Sequence, residues 1–155
     1  MIYLLTGPVR SYKTTTLLHW SQSRHDCGGV LSPDVDGLRQ LYHVQEKKYI
    51  PWQKTKKENE SDVEIGRFIF DQDAFDTAIG WLNDDLKNPN LHYVILDEIG
   101  PLELKGKGWD GWLRHALMHP GNTSLIIIVR ENILDQVISH FALIDYKIVA
   151  KDYFV

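Results

Sequence analysis

Residues 7–14 read GPVRSYKT and follow directly on the apolar run IYLL at residues 2–5. The stretch fits the pattern G-x-x-x-x-G-K-[ST] at every fixed position except one, where Tyr12 stands in place of the glycine before the lysine. A loop of this pattern curls its backbone N–H groups around phosphates, its lysine reaches the outer phosphates, and its hydroxyl residue binds magnesium. Here the cradle falls to Gly7, Pro8, Val9, Arg10, Ser11 and Tyr12. Lys13 is the cation and Thr14 the hydroxyl, followed by Thr15, and the amino end of the next helix adds partial positive charge. Glycine suits the position of Tyr12 because the chain turns tightly against the ligand, where a side chain costs room or strain. An outward-pointing tyrosine demands an unusual backbone conformation, so a divergent working loop and a damaged one both stand as readings.

Outward from this loop, strand-like and helix-like patterns alternate. Residues 1–6 read as a strand, and residues 14–23 as a helix carrying Leu17, Leu18 and Trp20. Gly28 and Gly29 break that pattern, and Val30 and Leu31 begin a short extended piece. Across residues 38–53 apolar and polar side chains alternate on both sides of the polar turn QEKK at 45–48, which predicts a hairpin inserted into the main alternation. The charged segment 54–62 is its exposed exit.

Residues 65–70 form a short predicted strand. Residues 71–88 carry Phe75, Ala78, Ile79, Leu82 and Leu86 at helical spacing and stop before Pro89. The unbroken apolar run at 93–96 suits a central parallel strand buried on both faces. A helix at 109–118, a strand at 124–129, a helix at 132–141 and a strand at 146–150 complete the order. Such alternation is the sequence form of an α/β fold, a mainly parallel sheet covered by helices. With 155 residues, 43% of them apolar, and no repeat or boundary signal, residues 1–155 read as a single domain.

The central run ends in two acids, VILDE at 94–98. A carboxylate at a strand end is the second requirement of phosphate-loop chemistry, because it holds the magnesium water shell. Asp97 takes that role, and Glu98 that of polarising an attacking water; the bland alternative is a pair of acids closing a strand. Arg130, directly after the strand at 124–129, emerges where a phosphate-contacting cation could sit, or is a helix-start or ion-pair residue. Glu103 reads as solvated and Arg10 as solvent-facing. Trp52, at the hairpin, is a core anchor or a base-stacking ring.

The net charge of −4 and pI near 5.9 give no polyanion-binding surface beyond the local run KTKK at 54–57, so nucleic acid is not the default partner. One cysteine, Cys27, forms no internal disulfide and reads as a small packed group. The seven histidines show no paired ligand spacing. Without a leader or a long apolar stretch, the expectation is a cytoplasmic protein with no membrane association; no protein partner is indicated.

With these motifs in order, the chain resembles the small P-loop nucleoside-triphosphatases, a family of archaea and bacteria and, as the cancer-related nucleoside-triphosphatase, of animals. The resemblance is carried by GPVRSYKTTTL at 7–17, CGGVLSPDV at 27–35, IGRFIFDQDAF at 65–75 and VILDEIGPLEL at 94–104. It implies a three-layer P-loop fold and magnesium-dependent hydrolysis of nucleoside triphosphates with loose base preference. It also implies that Lys13, Thr14, Asp97 and Glu98 stand at the nucleotide, metal and water-activating positions. Two departures are Tyr12 for glycine and the ending KDYFV, which lacks the family's asparagine-arginine ending. Two other functions stay open: a nucleotide or small-molecule kinase, and a nucleotide-binding module whose hydrolysis Tyr12 has weakened.

Overall fold

The computed structural model describes residues 1–155. In chain order the elements are β1 (Ile2–Leu5), α1 (Lys13–Gln22), β2 (Cys27–Leu31), β3 (Asp34–Val35), β4 (Leu38–His43), β5 (Lys48–Pro51), β6 (Gln53–Lys54), β7 (Val63–Ile65) and β8 (Phe68–Phe70). There follow α2 (Gln72–Lys87), β9 (Tyr93–Ile99), α3 (Pro101–Leu104), α4 (Asp110–Met118), β10 (Ser124–Val129), α5 (Leu134–His140) and β11 (Tyr146–Val149).

The main sheet runs β11-β1-β10-β9-β2-β4-β3, with β5 paired to β4. The first five of these strands are mutually parallel, so their carboxyl ends share one edge. Period-two alternation explains the unbroken apolar runs. In β10, Leu125, Ile127 and Val129 face one core while Ile126 and Ile128 face the other. In β9, Val94 and Leu96 face the first core and Ile95 the second. Over Val94–Leu96 and Leu125–Val129 neither face meets water, so these stretches carry only apolar residues. The larger core lies under α2, α4 and α5, and the smaller one under α1 and the carboxyl-terminal Phe154. Helices therefore cover both faces, giving the three layers of the P-loop fold. No helix is long and apolar enough to cross a membrane.

The predicted hairpin forms as β4 and β5, paired antiparallel from Gln40↔Pro51 to His43↔Lys48, and it extends the main sheet because β4 also pairs with β2. The predicted helix over 71–88 forms as α2, with the Asp71 carboxylate accepting from the Ala74 N–H at its amino end.

Three predicted elements differ. Residues 65–70 are not one strand: Gly66, at φ +60°, reverses the chain between β7 and β8, which join β6 in a separate three-stranded antiparallel sheet. The acids at 97 and 98 lie inside β9, which continues to Ile99, rather than beyond its end. Gly28 and Gly29 do not break the chain but lie within β2. The Gly29 N–H donates to the buried Asp85 carboxylate of α2 at 2.7 Å, and Asp85 also meets His43 Nε2 at 3.0 Å. No local pattern announces a strand whose third residue is bonded from 56 positions away.

Candidate active site

The parallel edge of the sheet brings the predicted residues together. Between β1 and α1 the loop turns through two left-handed residues, Arg10 at φ 59° and Tyr12 at φ 63°. Tyr12 occupies the conformation that glycine takes freely and a bulky residue takes at a cost of about 1–2 kcal/mol. Its ring is turned outward and is 71% exposed, with the Lys151 amine 5.7 Å from its centre. Lys151 also donates to the Ser11 carbonyl at 2.9 Å, tying the carboxyl-terminal segment to the loop. The tyrosine thus leaves the inside of the loop open, and the strain lies in the backbone alone. Pro8, Val9 and Arg10 are exposed at the loop tip, and Thr15 is exposed in the first turn of α1.

The Lys13 side chain folds into the mouth of the loop, where its Nζ donates to Gly7 O (3.3 Å), Pro8 O (3.0 Å) and Ser11 Oγ (3.2 Å). One residue on, Thr14 Oγ1 donates to Asp97 Oδ2 at 2.6 Å, across the end of the intervening β10. Asp97, 1% exposed, also accepts from the Ser32 N–H at 3.0 Å. A hydroxyl and a carboxylate meeting at one point are hard oxygen donors. That donor set fits magnesium, which keeps several waters and takes one or two protein oxygens beside phosphate oxygens.

The register between β9 and β10 slips after Asp97, so that Ile128 pairs with Asp97 and Val129 with Ile99. A bulge of this kind leaves one residue unpaired and re-aims its side chain. The residue is Glu98, whose Oε1 receives Arg130 Nε at 3.0 Å. Burial pushes the Glu98 pKa up, the nearby Asp97 charge adds to this, and the Arg130 guanidinium pulls it back. Arg130 is thus an ion-pair residue, and the acid it pairs with is the one singled out for handling water. Both side chains lie on a cleft of about 180 Å³.

Glu103 is not solvated as expected. It is 4% exposed, and its two carboxyl oxygens accept from Gly100 N (2.8 Å) and Trp109 N (3.0 Å), closing the turn between β9 and α4. Burial pushes its pKa up from 4.5 to about 7, against those two donors. The folded state then holds this proton between pH 4.5 and 7, where the unfolded chain releases it. Its contribution to stability therefore falls as pH rises through that window. Glu103→Gln presents an amide N–H₂ to one of the two N–H donors, so unfolding should be easier by about 1–3 kcal/mol. The pH slope of the melting temperature between 4.5 and 7 should flatten at the same time. An unchanged slope would show that Glu103 does not hold a proton there.

Trp52 joins the aromatic core with Phe70, Phe75 and Trp109 instead of standing at the surface of the hairpin. Cys27 packs as a buried group whose pKa is pushed up to about 12 by desolvation. Arg39, on β4, is exposed, as alternation marks a charged residue to be; its Nη1 donates to the Ser32 carbonyl at 2.9 Å and it lines the cleft beside Glu98, a placement the linear pattern does not announce.

Compared with known proteins, no curated sequence matches this chain. Two solved structures share its fold. The solution structure of a human cancer-related nucleoside triphosphatase is 21% identical, with a TM-score of 0.67 over 96% of this chain and 87% of that one. The crystal structure of THEP1 from the hyperthermophile Aquifex aeolicus is 14% identical, with a TM-score of 0.67 over 97% and 89%. A family model described as NTPase matches residues 2–150, from the first strand through the last, and on that match the chain belongs to the NTPase family, the nucleoside triphosphatases.

Proposed function

We propose that the protein hydrolyses nucleoside triphosphates, ATP and GTP among them, to the diphosphate and phosphate in a magnesium-dependent reaction, with residues 1–155 acting as one domain. The observation that carries this reading is the 2.6 Å contact between Thr14 and Asp97, with the Lys13 amine in the same loop mouth and Glu98 next in sequence. The phosphates lie against the N–H groups of residues 7 and 9–15, Pro8 having none, and Lys13 neutralises charge on the outer ones. Thr14 and Asp97 would hold magnesium, which when bound would neutralise charge on the outer phosphates. Glu98 orients water for in-line attack on the terminal phosphorus, with Arg130 fixing the Glu98 carboxylate. Nothing in the loop selects a base, which supports tolerance among nucleoside triphosphates.

Phosphate release from ATP and from GTP, assayed with magnesium and again with excess chelator, tests this reading. Release that survives the chelator would overturn the metal requirement, and nucleotide binding without release would favour the binding-module alternative. Because the Tyr12 ring points outward, Tyr12→Gly is expected to change turnover by less than about threefold while relieving backbone strain of about 1–2 kcal/mol. A rise of tenfold or more would show that the tyrosine crowds the phosphates.

A further inference from the structure

The cleft beside Glu98 is larger than hydrolysis requires. One attacking water needs about 10–15 Å³ of such space, whereas this cleft offers about 180 Å³. Its walls are aromatic, formed by Trp52, Phe68, Phe70, Phe75 and Trp109 from the hairpin exit, the small sheet, α2 and the start of α4. None of the residues from Gly7 to Thr15 lines it, so it is not the phosphate cradle. Its polar end holds Ser32, Arg39, Glu98 and Arg130.

One further observation points to a ligand. Arg39 and Arg130 each use one guanidinium N–H within the protein, on Ser32 O and on Glu98, out of the five that each side chain carries.

We propose that this cleft is an acceptor site for a hydroxyl-bearing heteroaromatic compound of the nucleoside class, which the enzyme phosphorylates in competition with water. Aromatic walls select a ring, the spare N–H groups of Arg39 and Arg130 select a ring carrying acceptor atoms, and Glu98 selects a hydroxyl. The inference rests on the terminal phosphate lying beside Lys13 and Asp97, as proposed above. On that placement the cleft adjoins the terminal phosphate, because Glu98 follows Asp97 in the chain and Ser32, which also lines the cleft, donates its N–H to Asp97. The acceptor oxygen forms a bond to the terminal phosphorus, and the bond from that phosphorus to the bridging oxygen breaks. Its electron pair leaves with the nucleoside diphosphate, and the hydroxyl proton passes to the Glu98 carboxylate and on to solvent. The products are a nucleoside monophosphate and a nucleoside diphosphate.

The test uses the full chain with ATP and magnesium, adding adenosine, guanosine, cytidine, uridine or thymidine in turn, and measures released phosphate and nucleoside monophosphate in the same sample. At least one nucleoside is expected to yield its monophosphate while phosphate release falls by the same amount. That nucleoside should also change tryptophan fluorescence saturably in the absence of ATP, because Trp52 and Trp109 line the cleft. In Arg39→Met, which keeps an unbranched side chain and removes the donors, the ratio of transfer to hydrolysis should fall about fivefold, the equivalent of one hydrogen bond. Phosphate release with no monophosphate from any nucleoside overturns the acceptor site and leaves the hydrolytic reading standing. A nucleoside that binds but only competes with ATP overturns it equally. Absence of phosphate release and of ATP binding overturns the hydrolytic reading instead.

Discussion

Lys13→Ala is expected to lower phosphate release at least about 100-fold, a loss of about 2.7 kcal/mol of transition-state stabilisation, with the fold intact. The Lys13 amine is a compact cation held by three oxygens of its own loop, Gly7 O, Pro8 O and Ser11 Oγ, at the mouth where the outer phosphates would lie. Apart from magnesium, charge that builds on those phosphates during transfer meets no other cation at this mouth, since Arg10 is exposed at the loop tip, Arg130 pairs with Glu98 and Lys151 lies outside the loop against Ser11 O. The three hydrogen bonds of the amine are partly exposed, and removing them costs about 0.5 kcal/mol, so the melting temperature should move by less than about 3 °C. Lys13→Arg should not restore the rate, because a planar fork does not fit among three acceptors arranged around a point charge. Turnover within about threefold of the parent would remove Lys13 from the mechanism.

Gly29→Ala should have the largest effect on stability, exceeding about 4 kcal/mol, against a total of about 5–15 kcal/mol for a domain of this kind. At Gly29 the backbone has φ +100° inside β2, and a Cβ there would run into the carbonyl oxygen and the amide nitrogen of Ile95 on β9. Backbone cannot swing aside as a side-chain tip can, and β9 is the strand that carries Asp97. The same residue accepts from Val44 N and donates to Asp85, so displacing it loosens β2 from both α2 and β4. Gly37→Ala is the internal control. Gly37 has φ +87° with nothing within 4 Å of an added Cβ, so it isolates backbone strain, about 1–2 kcal/mol. Chemical denaturation of the two variants separates the effects, and equal losses would show that the contact with Ile95 is not what forbids a side chain at Gly29.

Much of the fold is written in local periodicity. The unbroken runs at 93–96 and 124–129 mark strands buried on both faces, and the 3.6-residue spacing of Phe75, Ala78, Leu82 and Leu86 marks α2. Misread elements share a cause. Residues 63–70 contain too few residues per strand for a period to show, and only Gly66 betrays the reversal between β7 and β8. The pair Gly28-Gly29 looks like a break because glycine is common in turns, whereas here it admits the close approach of β9 and the Asp85 carboxylate.

For the candidate site, the chain order alone singles out the loop, the lysine, the two threonines and the acidic pair, because each belongs to a short segment whose chemistry depends on immediate neighbours. What the linear order could not supply is everything that depends on solvent access and on distant partners. The outward turn of Tyr12, the burial of Glu103 and the ion pair between Glu98 and Arg130 are of this kind. So are the place of Arg39 beside Ser32 and the unpartnered Trp52 in an aromatic cleft. Local sequence sets backbone preference and side-chain identity; only the packed sheet, with five parallel strands ending on one edge, decides which of those side chains lose water and which meet each other.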